Sequence, residues 1–517
     1  MRPGFAFLVV GLAALAPGKV ARGASTGDEL FSCPIQHFKI EIGARELEKL
    51  RRQNRVYVNA TVSMGAKVFK DVAVRLKGQG SFRPLNDKPS FALKFNEFTP
   101  KQKLFGLSKI MLNNSTQDTT LLSEYLATSL FRDAGVPAAR VTHARVTLNG
   151  RELGFYVLIE AMNKTFLKQH FRNANGNLYE GYAKDIDQSL EHDGGPPGDQ
   201  SDRRALVAAS RSSTEDGMAG LRQILDIDRF YSFLAVSILI AQHDSYPFNR
   251  NNYRIYHEPD SGRFVMIPHG IDGTFRDNNI SIRPPAKYIL SKAVLTTPDG
   301  GKLYRARAAT LFTNVFKLDV MSNRVQIASA RLLAAATSDQ ERTDIARHMT
   351  NFLHRVTLRH ARAAQQLGQP EPSRILVDAD TGAVLTGWQP DIDEGTATLE
   401  RRSFEGRPAL YANTGPGRSL GVWRMRAVLD PGRYRLSGLL QTSNALQRGS
   451  TGALGAGIRT FKMYATPKRV FADGTWKNVE HHFLVAPGEE EVEFLCELAA
   501  PNAEAWFDAQ SIKVLRE

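Results

Sequence analysis

The chain has 517 residues, of which 42% are hydrophobic and 23% charged; that is too long for one compact core and too apolar for disorder over most of its length, so two or three globular units are expected. The formal charge of +14 favours anionic partners in general. No block of Lys and Arg is interleaved with aromatics, so nucleic acid is not an expected partner.

The first elements in chain order are those of an exported protein. Arg2, the apolar stretch Phe5 to Leu15 and the small-x-small site Ala21-Arg22-Gly23 predict a signal peptide over 1–24. The apolar stretch falls short of the ~20 residues that span a membrane, and no later segment is long and apolar enough. The expected location is therefore periplasmic, extracellular or cell-surface, without a transmembrane segment. Export permits a disulfide between Cys33 and Cys496, the two cysteines of the chain, but spacing leaves a bridge and two free thiols both open.

Residues 28–114 alternate as strands do, in Val56 to Val62, Val72 to Lys77 and Ser90 to Phe95. Gly78-Gln79-Gly80-Ser81 is a flexible turn between the last two runs. Leu121 to Ala134 reads as an amphipathic helix with Asp118 and Thr119 as candidate caps and Gly135-Val136-Pro137 as its stop. Val141 to Leu148 and Leu153 to Glu160 flank Asn149-Gly150, a two-residue hairpin turn. Residues 185–217 are rich in Asp, Gly, Pro and Ser, which predicts a solvated insertion or mobile loop. Ile227 to Gln242 reads as a buried helix. Two short strands follow, around Pro259-Asp260-Ser261-Gly262, and Leu303 to Leu367 is helical in pattern. The stretch 368–373, Gly-Gln-Pro-Glu-Pro-Ser, is a linker. Beyond it, short strands punctuated by Pro431-Gly432, Asp473-Gly474 and Pro487-Gly488 predict an all-β sandwich or jelly roll over 374–517. The fold class expected is α+β over 28–367, followed by this sandwich.

The chemistry is concentrated in Gln242-His243-Asp244-Ser245-Tyr246-Pro247-Phe248-Asn249-Arg250-Asn251-Asn252-Tyr253 and in Pro268-His269-Gly270-Ile271-Asp272-Gly273-Thr274-Phe275. A carboxylate-and-amide loop beside a strand-end carboxylate suits phosphoryl transfer. One Asp accepts the proton of the attacking hydroxyl, while an Asn and a second Asp hold Mg²⁺ against the phosphates. Asp244 and Asn249 stand five apart, as in a kinase catalytic loop, and Asp272 follows the next hairpin. Asn and Asp also serve simply as turn residues, so spacing alone leaves both readings open.

Several ordered segments resemble the CotH family of atypical, spore-coat kinases. They are Leu76-Lys77-Gly78-Gln79-Gly80-Ser81, Lys88-Pro89-Ser90-Phe91-Ala92-Leu93-Lys94-Phe95, Leu104-Phe105-Gly106-Leu107, and Leu112-Asn113 with Asp118. Leu148-Asn149-Gly150, Gly154 to Glu160, Asn249 to Tyr253 and the strand ending Ile267-Pro268 extend the likeness over roughly 30–365. The resemblance implies a kinase-like fold that binds ATP and Mg²⁺ (or Mn²⁺) and phosphorylates Ser or Thr of a secreted or surface protein. By position it implies Asp244 as the catalytic Asp, Asp272 as the metal Asp with Asn249 or Asn252 assisting, and Lys88 as the phosphate lysine. It also implies Gly80-Ser81 as the loop over the phosphates and Glu160 at an adenine-facing hinge. Glu124 is a further candidate, as a helix Glu paired with a lysine, but it reads as part of a charged helix face.

One departure stands out. The family commonly has Trp-Asp-x-Asp after the Ile-Pro strand, whereas this chain has His269-Gly270-Ile271-Asp272. The first carboxylate is missing, and imidazole is a poor substitute toward hard Mg²⁺. A catalytically dead surface or coat-assembly protein is therefore an alternative reading. In it, glycan binds through the sandwich, whose Ala505 to Val514 segment resembles galactose-binding-like modules; Trp388, Trp423 and Trp476 either stack on sugar rings or pack in the core, and large aromatics are mostly well buried. A polymer hydrolase using Asp244 and Asp272 as paired carboxyls is a third.

Overall fold

The computed structural model describes residues 27–212, 217–297, 299–443, 454–461, 469 and 474–517. The expected signal peptide lies outside them. The first domain opens with a closed barrel built from β1 (Gln36–Glu41), β2 (Val58–Met64), β3 (Lys67–Lys77), β4 (Ser90–Lys94), β5 (Lys109–Asn113), β6 (Val141–Leu148) and β7 (Arg151–Glu160), in the order β1-β2-β3-β4-β5-β7-β6. Neighbours pair antiparallel except β1 and β6, whose parallel pairing sets Phe38 against Val146 and closes the ring. Period-two alternation directs Phe38, Val62, Val74, Phe91, Leu93 and Tyr156 into one core. Asn149 and Gly150 take positive φ of 46° and 79°, as a two-residue turn matched to strand twist requires.

The second half of this domain is a sheet, β11-β10-β8-β9, under a helical layer. Its strands are β8 (Leu178–Gly181), β9 (Glu191–Gly194), β10 (Tyr253–Glu258) and β11 (Arg263–Pro268). The helix Ile227–Leu239 is buried at nearly every position, as a segment apolar all round must be. The helix Ser123–Asp133 joins this core to the barrel: Phe131 meets Phe233 at 5.9 Å between ring centres. Its N-cap position is Leu122, without a side-chain cap; Asp118, from the preceding turn, accepts from the first helical N–H, that of Ser123, at 2.9 Å. Helices Gly300–Asn314, Leu318–Ala334 and Asp339–Gly368 complete the layer.

Beyond Gly368 the chain forms a sandwich of a seven-stranded and a four-stranded sheet. Its core holds Trp388, Trp423, Leu436, Phe494 and Phe507.

One expectation needs correction, and two open alternatives are decided. Residues 185–217 are not a bare loop: they contain β9 and the helix Ser201–Arg211, which buries Leu206 and Val207. Its Asp202 accepts from Tyr179 of β8 at 2.7 Å, a tertiary tie that local composition does not reveal. Cys33 and Cys496 are free thiols; Cys496 is packed inside the sandwich while Cys33 donates to its own Leu30 carbonyl. Trp388 and Trp423 are core residues, 2% and 1% exposed, and their indole N–H groups donate to the backbone of Leu385 and Tyr411. They cannot stack on a sugar.

Candidate functional site

Lys77 is the last residue of β3, just before Gly78 turns the chain at φ 102°. Glu124 lies in the first turn of the helix Ser123–Asp133, and Asp272 follows β11. The barrel, the helix and the segment after β11 thus each contribute one charged group to a common electrostatic cluster. Burial lowers the Lys77 pKa, opposed first by Glu124, then Asp272, then Glu180. Burial and the neighbouring Asp272 push Glu124 up to about 7, against the pull of Lys77, the Asn113 amide and the Ile271 N–H. Asp272 is also raised, by burial and then Asp118, with its own N–H, Lys77 and Arg276 opposing. Glu124 is 3% exposed and Asp272 8%. Two buried carboxyls pushed up and a lysine pushed down, each by burial, mark this cluster as a candidate functional site.

A second layer flanks Lys77. Burial works against the charge of Glu180, but Arg254, His269 and Lys77 outweigh it and hold its carboxyl below the usual range. His269 Nε2 stands 3.7 Å from Glu180 and is buried without a hydrogen-bond partner; burial pushes its pKa down to about 4.

The Asp244 loop is built separately. The helix Ile227–Leu239 is followed by Ala241 at φ 51°, and Arg250 and Asn252 are left-handed as well. Such strain in non-glycine residues concentrates at functional sites. Asn251 and Asn252 each donate to Asp244 Oδ2 at 3.0 Å, and Asn249 reaches Oδ1 at 3.5 Å. Asn249 also donates to the His243 carbonyl at 3.0 Å. Below, Tyr246 donates to the buried Asp185 at 2.8 Å and anchors the loop. A hydrogen bond between His243 and the Gly273 backbone brings this loop against the one that carries Asp272. Gly273 suits that approach: a Cβ there would lie 3.2 Å from the imidazole.

Gly270, where the family has its first carboxylate, is left-handed at φ 59°. A Cβ built on it would lie 2.6 Å from Asn252 Oδ1. The missing carboxylate is therefore a fitted feature, since Asn252 occupies the space beside the glycine and turns its amide to Asp244.

The structure places the sequence-predicted residues as follows. Asp244, Asn249 and Asn252 come together, but the asparagines bond Asp244 and His243 rather than joining Asp272 in one ligand set. Asp272 lies instead with Glu124, Asp118 and Lys77. Lys88 is not in this cluster: its ammonium sits 5.1 Å from the Tyr156 ring centre, with Asp87 and Glu341 as its acidic neighbours. The lysine among the carboxyls is Lys77, eleven residues earlier by position. Glu160 is committed elsewhere, for its carboxylate takes Arg140 at 2.6 Å and Gln169 at 3.1 Å, and its N–H donates to the Arg140 carbonyl. Gly80 and Ser81 lie in the β3–β4 loop. Asn114 pins that loop, donating to the Ser81 carbonyl at 3.2 Å and the Lys88 carbonyl at 2.7 Å. Glu124 is on the buried face of its helix, in step with Ala127 and Phe131, not on a charged face. That spacing, a Glu three and seven residues before apolar positions, was the available signal for it. For Lys77 the signal was a lysine closing an otherwise apolar strand.

Among the described residues, no group of three or more His, Cys, Asp or Glu side chains converges as a metal cage. Mg²⁺ that arrives on a nucleotide needs only one or two protein carboxylates, because waters and phosphate oxygens complete its shell. Asp272 beside Lys77 fits that requirement and does not fit a free-standing ion.

The CotH kinase protein family model matches residues 74–367. The inner spore coat protein H of Bacillus subtilis (strain 168) is 21% identical over 271 residues, covering 47% of this chain and 72% of that protein. The invasin CotH3 of Rhizopus delemar is 23% identical over 191 residues; these span 32% of this chain and only 31% of the invasin. Among solved structures, the Helicobacter pylori proinflammatory kinase CtkA aligns over 56% of this chain and 96% of its own, at 9% identity and a TM-score of 0.25. A carbohydrate-binding module, TmCBM61 in complex with β-1,4-galactotriose, aligns over 25% of this chain and 88% of its own, at 13% identity and a TM-score of 0.19. With more than half of its length matched by the family's model and its site built from that same span, the chain belongs to the CotH family.

Proposed function

We propose that the protein is an exported atypical Ser/Thr kinase that transfers the γ-phosphate of Mg-ATP, or Mn-ATP, to a secreted or surface protein. The observation that carries this reading is the convergence of Lys77, Glu124 and Asp272 from three separate elements. A lysine paired to a helix glutamate and facing a metal-binding aspartate is the arrangement protein kinases require. Lys77 binds the nucleotide phosphates. Glu124 and Glu180 attract its ammonium, and Asp272 would hold the divalent ion that accompanies the nucleotide. When bound, that ion screens the phosphate charge. Asp244 accepts the proton of the attacking hydroxyl at Oδ, with Asn251 and Asn252 fixing the carboxylate. A new O–P bond forms to the acceptor, the γ-phosphorus–bridging-oxygen bond breaks, and ADP leaves.

The test uses purified full-length chain. Thermal shift with ATP, with and without Mg²⁺ or Mn²⁺, should show stabilisation that needs the cation. Transfer of labelled γ-phosphate to a generic acceptor should vanish in Asp272→Ala. No stabilisation at millimolar Mg-ATP removes the proposal.

A second reading has its own support: a catalytically dead surface or coat-assembly protein that binds glycan through the sandwich. On the outer face of the seven-stranded sheet, Phe404 stacks on Trp506 at 4.3 Å, Tyr411 lies 5.5 Å from Trp506, and Trp476 lies 6.1 Å from Phe404. Aromatic faces of this kind take up the apolar faces of sugars. Glycan binding lost in Trp506→Ala, without nucleotide binding, favours this reading over the first. A coat or surface location suits either one, and no described helix is long and apolar enough to cross a membrane.

A further inference from the structure

The loops that carry Asp244 and Asp272 share a buried anchor that belongs to neither. Arg359, in the helix Asp339–Gly368, is 0% exposed. Its guanidinium donates through Nε to the Leu239 carbonyl at 3.0 Å and through Nη2 to the Ile238 carbonyl at 2.8 Å. Through Nη1 it donates to the Asn278 and Ile280 carbonyls, both at 2.9 Å. Leu239 ends the helix Ile227–Leu239, five residues before Asp244. Asn278 and Ile280 follow Asp272 by six and eight residues. One planar fork thus holds the root of the first loop through Nε and Nη2, and the root of the second through Nη1.

An ordinary helix cap does not need this arrangement. The last carbonyls of a helix lack partners within it, and a cation at that end is favoured by the helix dipole. An exposed Lys or Arg would meet both needs with little desolvation. Arg359 is instead fully buried, and among the described residues it forms no ion pair with a carboxylate. Burial pulls its pKa down to about 10, opposed first by Asp277. A buried charge persists where hydrogen bonds answer it, and two of the four here go to the Asp272 segment, outside the helix end. The same segments also touch directly: the N–H of Phe275, left-handed at φ 56°, donates to the Ile240 carbonyl at 2.8 Å.

Phosphoryl transfer needs the base on one loop and the metal aspartate on the other at a fixed separation. A misplacement of about 1 Å costs on the order of 10²-fold in rate. We propose that Arg359 is a positioning residue that sets the spacing between Asp244 and Asp272. Buried as it is, it touches neither nucleotide nor acceptor. The roles of the two aspartates rest on the kinase reading above.

Phosphotransfer kinetics and hydrogen exchange on the full chain test this, comparing Arg359→Lys with Val325→Ala. Lysine keeps the charge but lacks the fork, so it cannot serve both segments. Val325 is buried in the helix Leu318–Ala334, which contributes no residue to either loop, and its truncation supplies a loss of stability for comparison. Arg359→Lys should lower kcat about 10²-fold with KM for Mg-ATP unchanged, while Val325→Ala leaves kcat as it is. Exchange should quicken together over 241–252 and 272–281 in Arg359→Lys and in neither segment in Val325→Ala. Where Arg359→Lys does not fold, Arg359→Gln is read in the same way. Exchange needs no activity, so it separates the two ideas: if the native chain transfers no phosphate, the kinase reading falls, and paired loosening of the loops still upholds the clamp. Exchange that quickens only at the end of the helix Ile227–Leu239 overturns the proposal. So does an unchanged kcat in Arg359→Lys, or an equal loss of kcat in Val325→Ala.

Discussion

Lys77 and Glu124 gain their roles from where burial puts them. The Lys77 ammonium loses hydration on burial, and three carboxylates oppose that loss without cancelling it. Lys77→Met should therefore reduce phosphotransfer by about 10²–10³-fold, the scale for removing one preorganised charge contact, while circular dichroism remains native. Asp272→Ala should instead abolish the cation dependence of nucleotide stabilisation. A nucleotide at a hundred times its dissociation constant stabilises by ~2.7 kcal/mol, and EDTA should erase that gain. Glu124 supplies a pH signature. Its folded pKa, about 7, lies above the ordinary value of 4.5, so between these two values the folded chain binds more protons than the unfolded one. Stability from this group is fully present below 4.5 and is lost as pH rises through about 7. Activity moves the opposite way, because only ionised Glu124 pairs with Lys77. Phosphotransfer should rise with an apparent pKa near 7, and Glu124→Gln should flatten both profiles. A pH–stability curve unchanged by that substitution refutes the assignment.

The elements explain why these groups meet and why a missing carboxylate does not leave a hole. Gly270 is left-handed, and Asn252 stands where its Cβ would go. Restoring the family residue by Gly270→Asp should thus destabilise, by ~1–3 kcal/mol from backbone strain alone, rather than raise activity; Asn252→Gly in the same chain should relieve the steric part. Urea melts of the single and double variants measure both. The β3–β4 loop depends on Asn114 in the same way. Asn114→Ala removes two side-chain bonds to that loop, and faster hydrogen exchange confined to 78–89 is expected. The barrel strands, the Asn149-Gly150 hairpin and the helix after Asp118 were all legible in the sequence, because alternation, turn chemistry and helix start signals are local. So was the Asp244 loop, as a run of Asp and Asn at fixed spacing. The Lys77–Glu124–Asp272 cluster was not legible. Its members are far apart in the chain, and a single lysine at a strand end or glutamate on a helix has many commonplace uses. Lys88 was the more visible lysine because it sits inside a recognisable motif, yet in the β3–β4 loop its ammonium lies over the Tyr156 ring.

At the scale of the whole molecule, the two domains are joined by a shared ionic knot. Arg362, from the last helix of the first domain, and Arg424, from the sandwich, both reach Asp391 and Asp393. All four side chains are 11–16% exposed, so screening by solvent is modest. Nearby, the Ala286 N–H donates to the Gly488 carbonyl at 2.8 Å, and a Cβ on Gly488 would lie 2.4 Å from the Ala286 carbonyl oxygen. The sandwich has its own core around Trp423, Phe494 and Phe507, so it does not need this contact to fold. The contact should therefore set the coupling between domains rather than the stability of either. Arg362→Ala leaves Asp391 and Asp393 to Arg424 alone and should weaken the interface by ~1–3 kcal/mol. Calorimetry of the full chain should then resolve two unfolding transitions where the native protein shows one. Gly488→Val, which meets the Ala286 backbone directly, should do the same without altering any charge. If both variants melt as the native chain does, the domains unfold independently and the ionic knot does not couple them.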